Sequence, residues 1–238
     1  MKKTTLFAIV ASSLGLFPAG GQPFQNLGFE SATIVPIDDW SVQWNPAMPG
    51  WTGSVRGGNQ VSSLFHRDTC LSSCTGIFII DQPTIRAMGG HLIRPLAGQY
   101  SVMLEAGLGF AHAPPYDASI AQTGVIPLDA QSLRFVGLFG GTAPPVVSLG
   151  GQALSLHTFA GPGFTLYAAD VSAFAGQTAE LRFTVTTDHA SAQQGRGSAW
   201  LLDAISFSAV PVPEPSVVFL LLMIGGCVLA RSCKRSDS

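Results

Sequence analysis

The chain has 238 residues, 11% of them charged and 47% hydrophobic, with 27 glycines, 16 prolines and a formal net charge of −2. That balance gives no basic field for nucleic acid, and outside the termini there is no run of lysine or arginine to make one. Glycine and proline scattered along the whole length favour short strands and turns over long helices, so the expected class is all-β.

At the start, Lys2 and Lys3 precede an apolar stretch over residues 6–17, Pro18 ends it, and the small residues Ala19 and Gly21 sit two apart. This is the pattern of a signal peptide over residues 1–21, cut after Gly21. As a permanent membrane helix the run is too short. The mature region, residues 22–210, has the length of one domain with a real core.

Within it the strand signals are short. Residues 26–30 (NLGFE) open the domain, and an aromatic segment follows in which Trp40, Trp44 and Trp51 are broken up by Pro46, Pro49 and Gly50. Residues 53–75 are polar and read as a long loop, 77–80 as a compact apolar strand, and 86–96 as loop. In GQYSVMLEA, Tyr100, Val102 and Leu104 share one face and Ser101, Met103 and Glu105 the other, as a strand requires. Further strands are expected at 119–123, 133–139, 146–149, 153–157 and 164–171, with Gly150-Gly151 as a hairpin turn between the third and fourth. Residues 179–187 alternate Leu181, Phe183 and Val185 against Glu180, Arg182, Thr184 and Thr186, and the final strand is 199–208. About ten short strands separated by turn signals predict an antiparallel β-sandwich of the jelly-roll kind.

Chemistry is harder to find. Cys70 and Cys74 (CLSSC) lie in the exported part, where an oxidising compartment favours a local disulfide. A zinc site would need four ligands, and beyond this pair only His66 is near. The histidines at 66, 91, 112, 157 and 189 lack metal-ligand spacing, and no GxSxG or Cys/His nucleophile signature is present. Asp188-His189 is the one adjacent acid/base pair, and neighbours on a strand face opposite ways. Glu30, Asp81, Glu105 and Glu180 are candidates for paired carboxylates, but nothing selects two of them. The chain is therefore expected not to be an enzyme. Trp40, Trp44 and Trp51, close to Asp38 and Asp39, either stack on sugar rings from exposed loops or fill the core. In the last strand, alternation places Asp203 with Leu201, Ile205 and Phe207; facing inward, its charge would need a partner. At the rim, backbone amides or Arg182 would satisfy it.

The end of the chain, residues 211–238, carries the sharpest signal. Pro211, Pro213 and Pro215 hold the backbone extended, so a helix starts only after Pro215. Residues 216–230 are apolar on every side, which suits lipid. At 1.5 Å per residue this run reaches about 23 Å against a hydrocarbon core of roughly 30 Å, a deficit that bilayer thinning or snorkelling of Arg231, Lys234 and Arg235 covers. These cations favour a cytoplasmic end, leaving the bulk of the chain outside. Cys227 and Cys233 lie in the same segment.

Pro213-Glu214-Pro215, a short hydrophobic helix and a terminal basic cluster, in that order, resemble a PEP-CTERM sorting signal. The resemblance implies an exosortase-type processing enzyme as partner, transient anchoring in the bacterial membrane, and a destination in the cell envelope or the extracellular biofilm matrix. A second resemblance covers nearly the whole mature region. NLGFE, GQYSVML, ASIAQTGVIP with SLRFVGLF, LYAADVSAFAGQTAELRFTV and AWLLDAISFS, in this order, look like the galactose-binding-like β-sandwich of carbohydrate-binding modules and exported PEP-CTERM proteins. It implies a structural calcium at Glu30 and Asp203, and a binding or structural role. The expected function is a non-catalytic structural or adhesive protein of the cell surface or matrix; the alternative is a carbohydrate-binding module for extracellular polysaccharide.

Overall fold

A computed structural model describes residues 21–66, 74–81, 93–108 and 116–212. The signal segment up to residue 20, Cys70, and the sorting motif with Pro213, Glu214, Pro215, Arg231, Lys234 and Arg235 lie outside the described residues. No helix among the described residues is long and apolar enough to cross a membrane.

Among the described residues fourteen strands form two sheets. In chain order they are β1 (Ser41–Gln43), β2 (Thr52–Val55), β3 (Asn59–Gln60), β4 (Ser63–His66), β5 (Gly76–Ile80), β6 (Ser101–Ala106), β7 (Tyr116–Val125), β8 (Ser132–Gly140), β9 (Val146–Leu149), β10 (Gln152–Ala153), β11 (His157–Gly161), β12 (Phe164–Asp170), β13 (Thr178–Thr187) and β14 (Ser198–Ser208). The larger sheet runs β1-β4-β5-β6-β14-β8-β12-β11 and the smaller β10-β9-β13-β7-β2-β3. Every neighbouring pair is antiparallel except β4 with β5. The α-helices among the described residues are single turns, α1 (Trp44–Ala47) and α2 (His189–Gln193), with a 3-10 turn at Ser172–Phe174.

The expected all-β sandwich is the architecture observed, and alternation explains its core. Val102 and Leu104 of β6, Leu181, Phe183 and Val185 of β13, and Trp200 and Leu202 of β14 all point between the sheets and are almost fully buried. Phe183 sits at the centre of an aromatic cluster, with ring centroids 5.2 Å from Phe135, 5.8 Å from Trp200 and 6.3 Å from Trp51. Rings of this size contribute about 0.5–1.5 kcal/mol per well-oriented pair beyond their buried area. On the outer face of the larger sheet a second, smaller core joins Phe78, Ile80, Met103 and Leu201 to Cys74, with Ile93 and Leu96 packed against it. Both faces of β5 and β6 are thus covered, which is why their residues are all buried.

Three expectations are corrected. Residues 53–75 are not one long loop, since β2 begins at Thr52 and β3 and β4 follow; they are short and polar but gain partners from β7, β5 and β1. The opening NLGFE segment is a turn rather than a strand: Asn26 and Phe29 have φ of 50° and 60°, and the Phe29 amide bonds back to the Asn26 carbonyl at 3.1 Å. The strand expected at 153–157 divides instead, β10 closing a hairpin on β9 in the smaller sheet and β11 belonging to the larger. The turn between β9 and β10 is Gly150-Gly151 as expected, both at positive φ (58° and 79°) as a two-residue hairpin turn demands.

Candidate functional site

Asp203 does not face the interior. A register shift between Asp203 and Ser206, with Ala204 at φ 49°, divides β14 into two parts. Before the bulge Leu201 and Asp203 point to the outer face; after it Ile205 and Phe207 point into the main core. An extra residue in one strand flips every side chain beyond it, so simple alternation fails there.

Asp203 is nonetheless only 1% exposed. Its Oδ2 accepts hydrogen bonds from the Ala97 amide at 2.7 Å and the Ser101 hydroxyl at 2.6 Å, and its Oδ1 from the Ala204 amide at 2.6 Å. Glu30, itself exposed, grips the same loop, accepting from the Gln99 amide at 3.0 Å and the Tyr100 amide at 3.1 Å. Between these anchors Gly98 has φ 58°, and a Cβ there would collide with the Glu30 carboxylate. The two acids expected to act together are thus gathered on one loop, residues 97–100. Burial pushes the Asp203 carboxyl above the usual range, against the pull of Ser101, Ala97 and Ala204, and the Glu30 charge adds to the push.

A structural calcium takes six to eight oxygen ligands. What faces these carboxylates is N–H and O–H, and among the described residues no group of three or more His, Cys, Asp or Glu side chains is placed to hold a metal. As arranged, the pair does not fit calcium; the acids hold the loop directly, close to the rim alternative in which amides satisfy Asp203.

The tryptophans separate. Trp44 and Trp51 are 4% and 3% exposed and their indole N–H groups are spent inside, on the Trp51 carbonyl at 2.8 Å and the Asn26 carbonyl at 3.1 Å. Neither presents a face to a sugar, which corrects the ligand-binding expectation for both. Trp40 alone of the three is exposed, at 56%, on a turn where the Asp38 carboxylate accepts from the Trp40 and Ser41 amides. Those hydrogen bonds hold the Asp38 carboxyl below its ordinary range.

Several other candidates have structural partners, while His91 and His112 lie outside the described residues. Cys74 is disulfide-bonded, so it offers no thiolate to zinc. His66 is buried, with Nε2 2.9 Å from Asp81 Oδ2. Asp188 caps α2 by accepting from the Ser191 amide at 2.8 Å, while His189 stacks on Tyr116 and meets its hydroxyl at 3.0 Å, so the adjacent pair does not act together. Glu180 takes both arms of Arg182, whose Nη1 also donates to Ser119 at 3.1 Å.

One feature not anticipated from the sequence is a cavity of about 550 Å³ on the outer face of the larger sheet, lined by Arg94, Leu96, Met103, Phe139, Phe164 and Leu201. Its surface suits an apolar group better than the hydroxyls of a sugar. The residues converge from β6, β14, β8 and the β11–β12 turn, so no local motif announces them.

No family model and no curated protein matches the chain. Two solved structures resemble it. One is the enzymatically active domain of bacteriophage CBA120 tailspike protein 4, at 14% identity and TM-score 0.38, covering 74% of this chain and 22% of that one. The other is the secreted serine protease VesC from Vibrio cholerae, at 10% identity and TM-score 0.32, covering 76% and 43%. The chain spans less than half the length of either.

Proposed function

We propose that the chain is an exported, non-catalytic protein of the bacterial cell surface or extracellular matrix, structural or adhesive in role. Its signal peptide over residues 1–21 directs export, and residues 211–238 address it to an exosortase-type membrane enzyme. The observation that carries this reading is the order at the end of the chain: Pro213-Glu214-Pro215, an apolar run, then Arg231, Lys234 and Arg235. We extend the two-sheet architecture to a galactose-binding-like jelly roll, supported by the sequence order of its strand motifs. The cargo fits the destination: a disulfide-bonded Cys74 suits an oxidising compartment, and a buried Asp203 committed to holding a loop suits a scaffold. Cell fractionation tests the reading. The full chain is expected in the envelope fraction with its N-terminal segment removed, and a chain ending at residue 212 in the medium; equal distribution of the two would refute the sorting role.

A second reading, a module that binds extracellular polysaccharide, is favoured by the exposed indole of Trp40 beside Asp39. Saturable binding on a glycan array, abolished by Trp40→Ala, would establish it, and the absence of binding would leave the structural role.

A further inference from the structure

A sheet ends in unpaired amides and carbonyls, and natural proteins keep such edges short, charged or covered. Among the described residues the two sheets have four edges, and three are short: β1 has three residues, β3 and β10 two each. The fourth, β11, is different. It has five residues, His157-Thr-Phe-Ala-Gly161, with no lysine, acid or proline among them, and Thr158, Phe159 and Ala160 are exposed. Phe159 is 39% exposed, a large apolar ring at the middle of the edge.

The register fixes which groups point outward. β11 and β12 are joined by the two-residue turn Pro162-Gly163, with Gly161 opposite Phe164. The pair flanking such a turn is hydrogen-bonded, and bonded and non-bonded pairs then alternate. Gly161, Phe159 and His157 therefore bond to β12, and Thr158 and Ala160 send their N–H and C=O groups away from it.

We propose that two copies of this chain pair through β11, antiparallel, about a two-fold axis at Phe159. What occupies the edge follows from the strand itself. Thr158 and Ala160 lie symmetrically about Phe159, so in an identical strand turned end to end Thr158 meets Ala160 of the second copy, and each exchanges both of its bonds. Phe159 then faces its own counterpart in a non-hydrogen-bonded pair, where side chains approach most closely. The strand bears no charge to repel an identical one, and the larger sheets of the two copies become one continuous sheet. A five-residue edge buries less than the roughly 1,000 Å² of a lasting interface, so the pairing is weak in dilute solution and strengthens when chains are crowded. The inference stands apart from the export reading.

Cross-linking of the full chain tests it. In the proposed register a cysteine at 159 lies about 4.5 Å from its counterpart, Cα to Cα, within disulfide reach, whereas a cysteine at 158 is two residues out of register and beyond it. Under mild oxidation Phe159→Cys is expected to give at least about tenfold more covalent dimer than Thr158→Cys, with the unsubstituted chain as background. Adding Ala160→Pro to Phe159→Cys should return the dimer to background, because that amide bonds only outward and the β11–β12 hairpin keeps its own bonds. Circular dichroism checks that the substituted chain stays folded. Equal cross-linking at 158 and 159, or dimer undiminished by Ala160→Pro in a folded chain, overturns the proposal; should Ala160→Pro unfold the chain, the comparison of 158 with 159 decides alone.

Discussion

Removing the Asp203 carboxylate tests how the loop at 97–100 is held. Asp203→Ala takes away the acceptor of the Ala97 and Ala204 amides and of the Ser101 hydroxyl, and Ser101 is itself fully buried. Hydrogen bonds to a charged group contribute about 1.5–3 kcal/mol each, and the carboxylate's own desolvation offsets part of their sum. The expected net loss is about 3–5 kcal/mol, a large share of the roughly 5–15 kcal/mol that holds a domain folded. Asp203→Asn keeps an oxygen toward Ala97 and Ser101 but turns an amide N–H against the Ala204 N–H, so about half that loss is expected. The pH dependence is more discriminating. Because the folded carboxyl lies above its ordinary value of 3.8, the native state holds this proton more tightly than the unfolded chain does. The stabilisation is therefore complete below that ordinary value and is lost as pH rises through the folded one. Urea unfolding of both chains should show the advantage of the original over Asp203→Asn growing as pH falls from about 7 to about 4, then levelling. An advantage that shrinks on acidification would mean that the amides and Ser101 outweigh burial, and the reasoning would be wrong.

Other perturbations follow from the same structure. Trp44→Ala should cost about 3–5 kcal/mol in urea unfolding, and Trp40→Ala less than about 0.5, because one indole is packed in the core and the other stands in solvent. Gly53→Val should destabilise by about 1–3 kcal/mol or more, since a Cβ at Gly53 runs into the Trp44 ring; pairing it with Trp44→Leu should recover part of the loss. Gly98→Ala should lower the thermal midpoint and speed amide exchange at Gln99 and Tyr100, through both its positive φ and the collision with Glu30, and unchanged exchange would argue against the loop's anchoring by Glu30.

The sandwich was legible where strands are long and alternate cleanly. In β13 the apolar face of Leu181, Phe183 and Val185 meets the core as read, and in β6 so do Val102 and Leu104. It was not legible where pairing rather than composition makes the strand. β2, β3 and β4 are short and carry Thr, Ser, Asn and Gln, residues that look like loop until β7 and β5 supply their partners. The face of Asp203 was hidden for another reason: the bulge turns on Ala204 at positive φ, and alanine does not advertise that conformation as glycine or asparagine would. The resemblance paired Glu30 with Asp203 as calcium ligands, whereas in the structure both carboxylates accept from backbone amides of the loop at 97–100. Of the three tryptophans only the structure separates Trp40 from Trp44 and Trp51, because burial is a property of the packed sheets and not of the local sequence.

The most direct test of the central claim is the intact mass of the protein recovered from its native cell, with and without Glu214→Ala. Export and sorting predict a mature species lacking residues 1–21, whose C-terminal processing and surface display are both lost when Glu214 is replaced. If each chain instead showed the mass of its own unprocessed 238 residues, and both were equally displayed, the account would be contradicted.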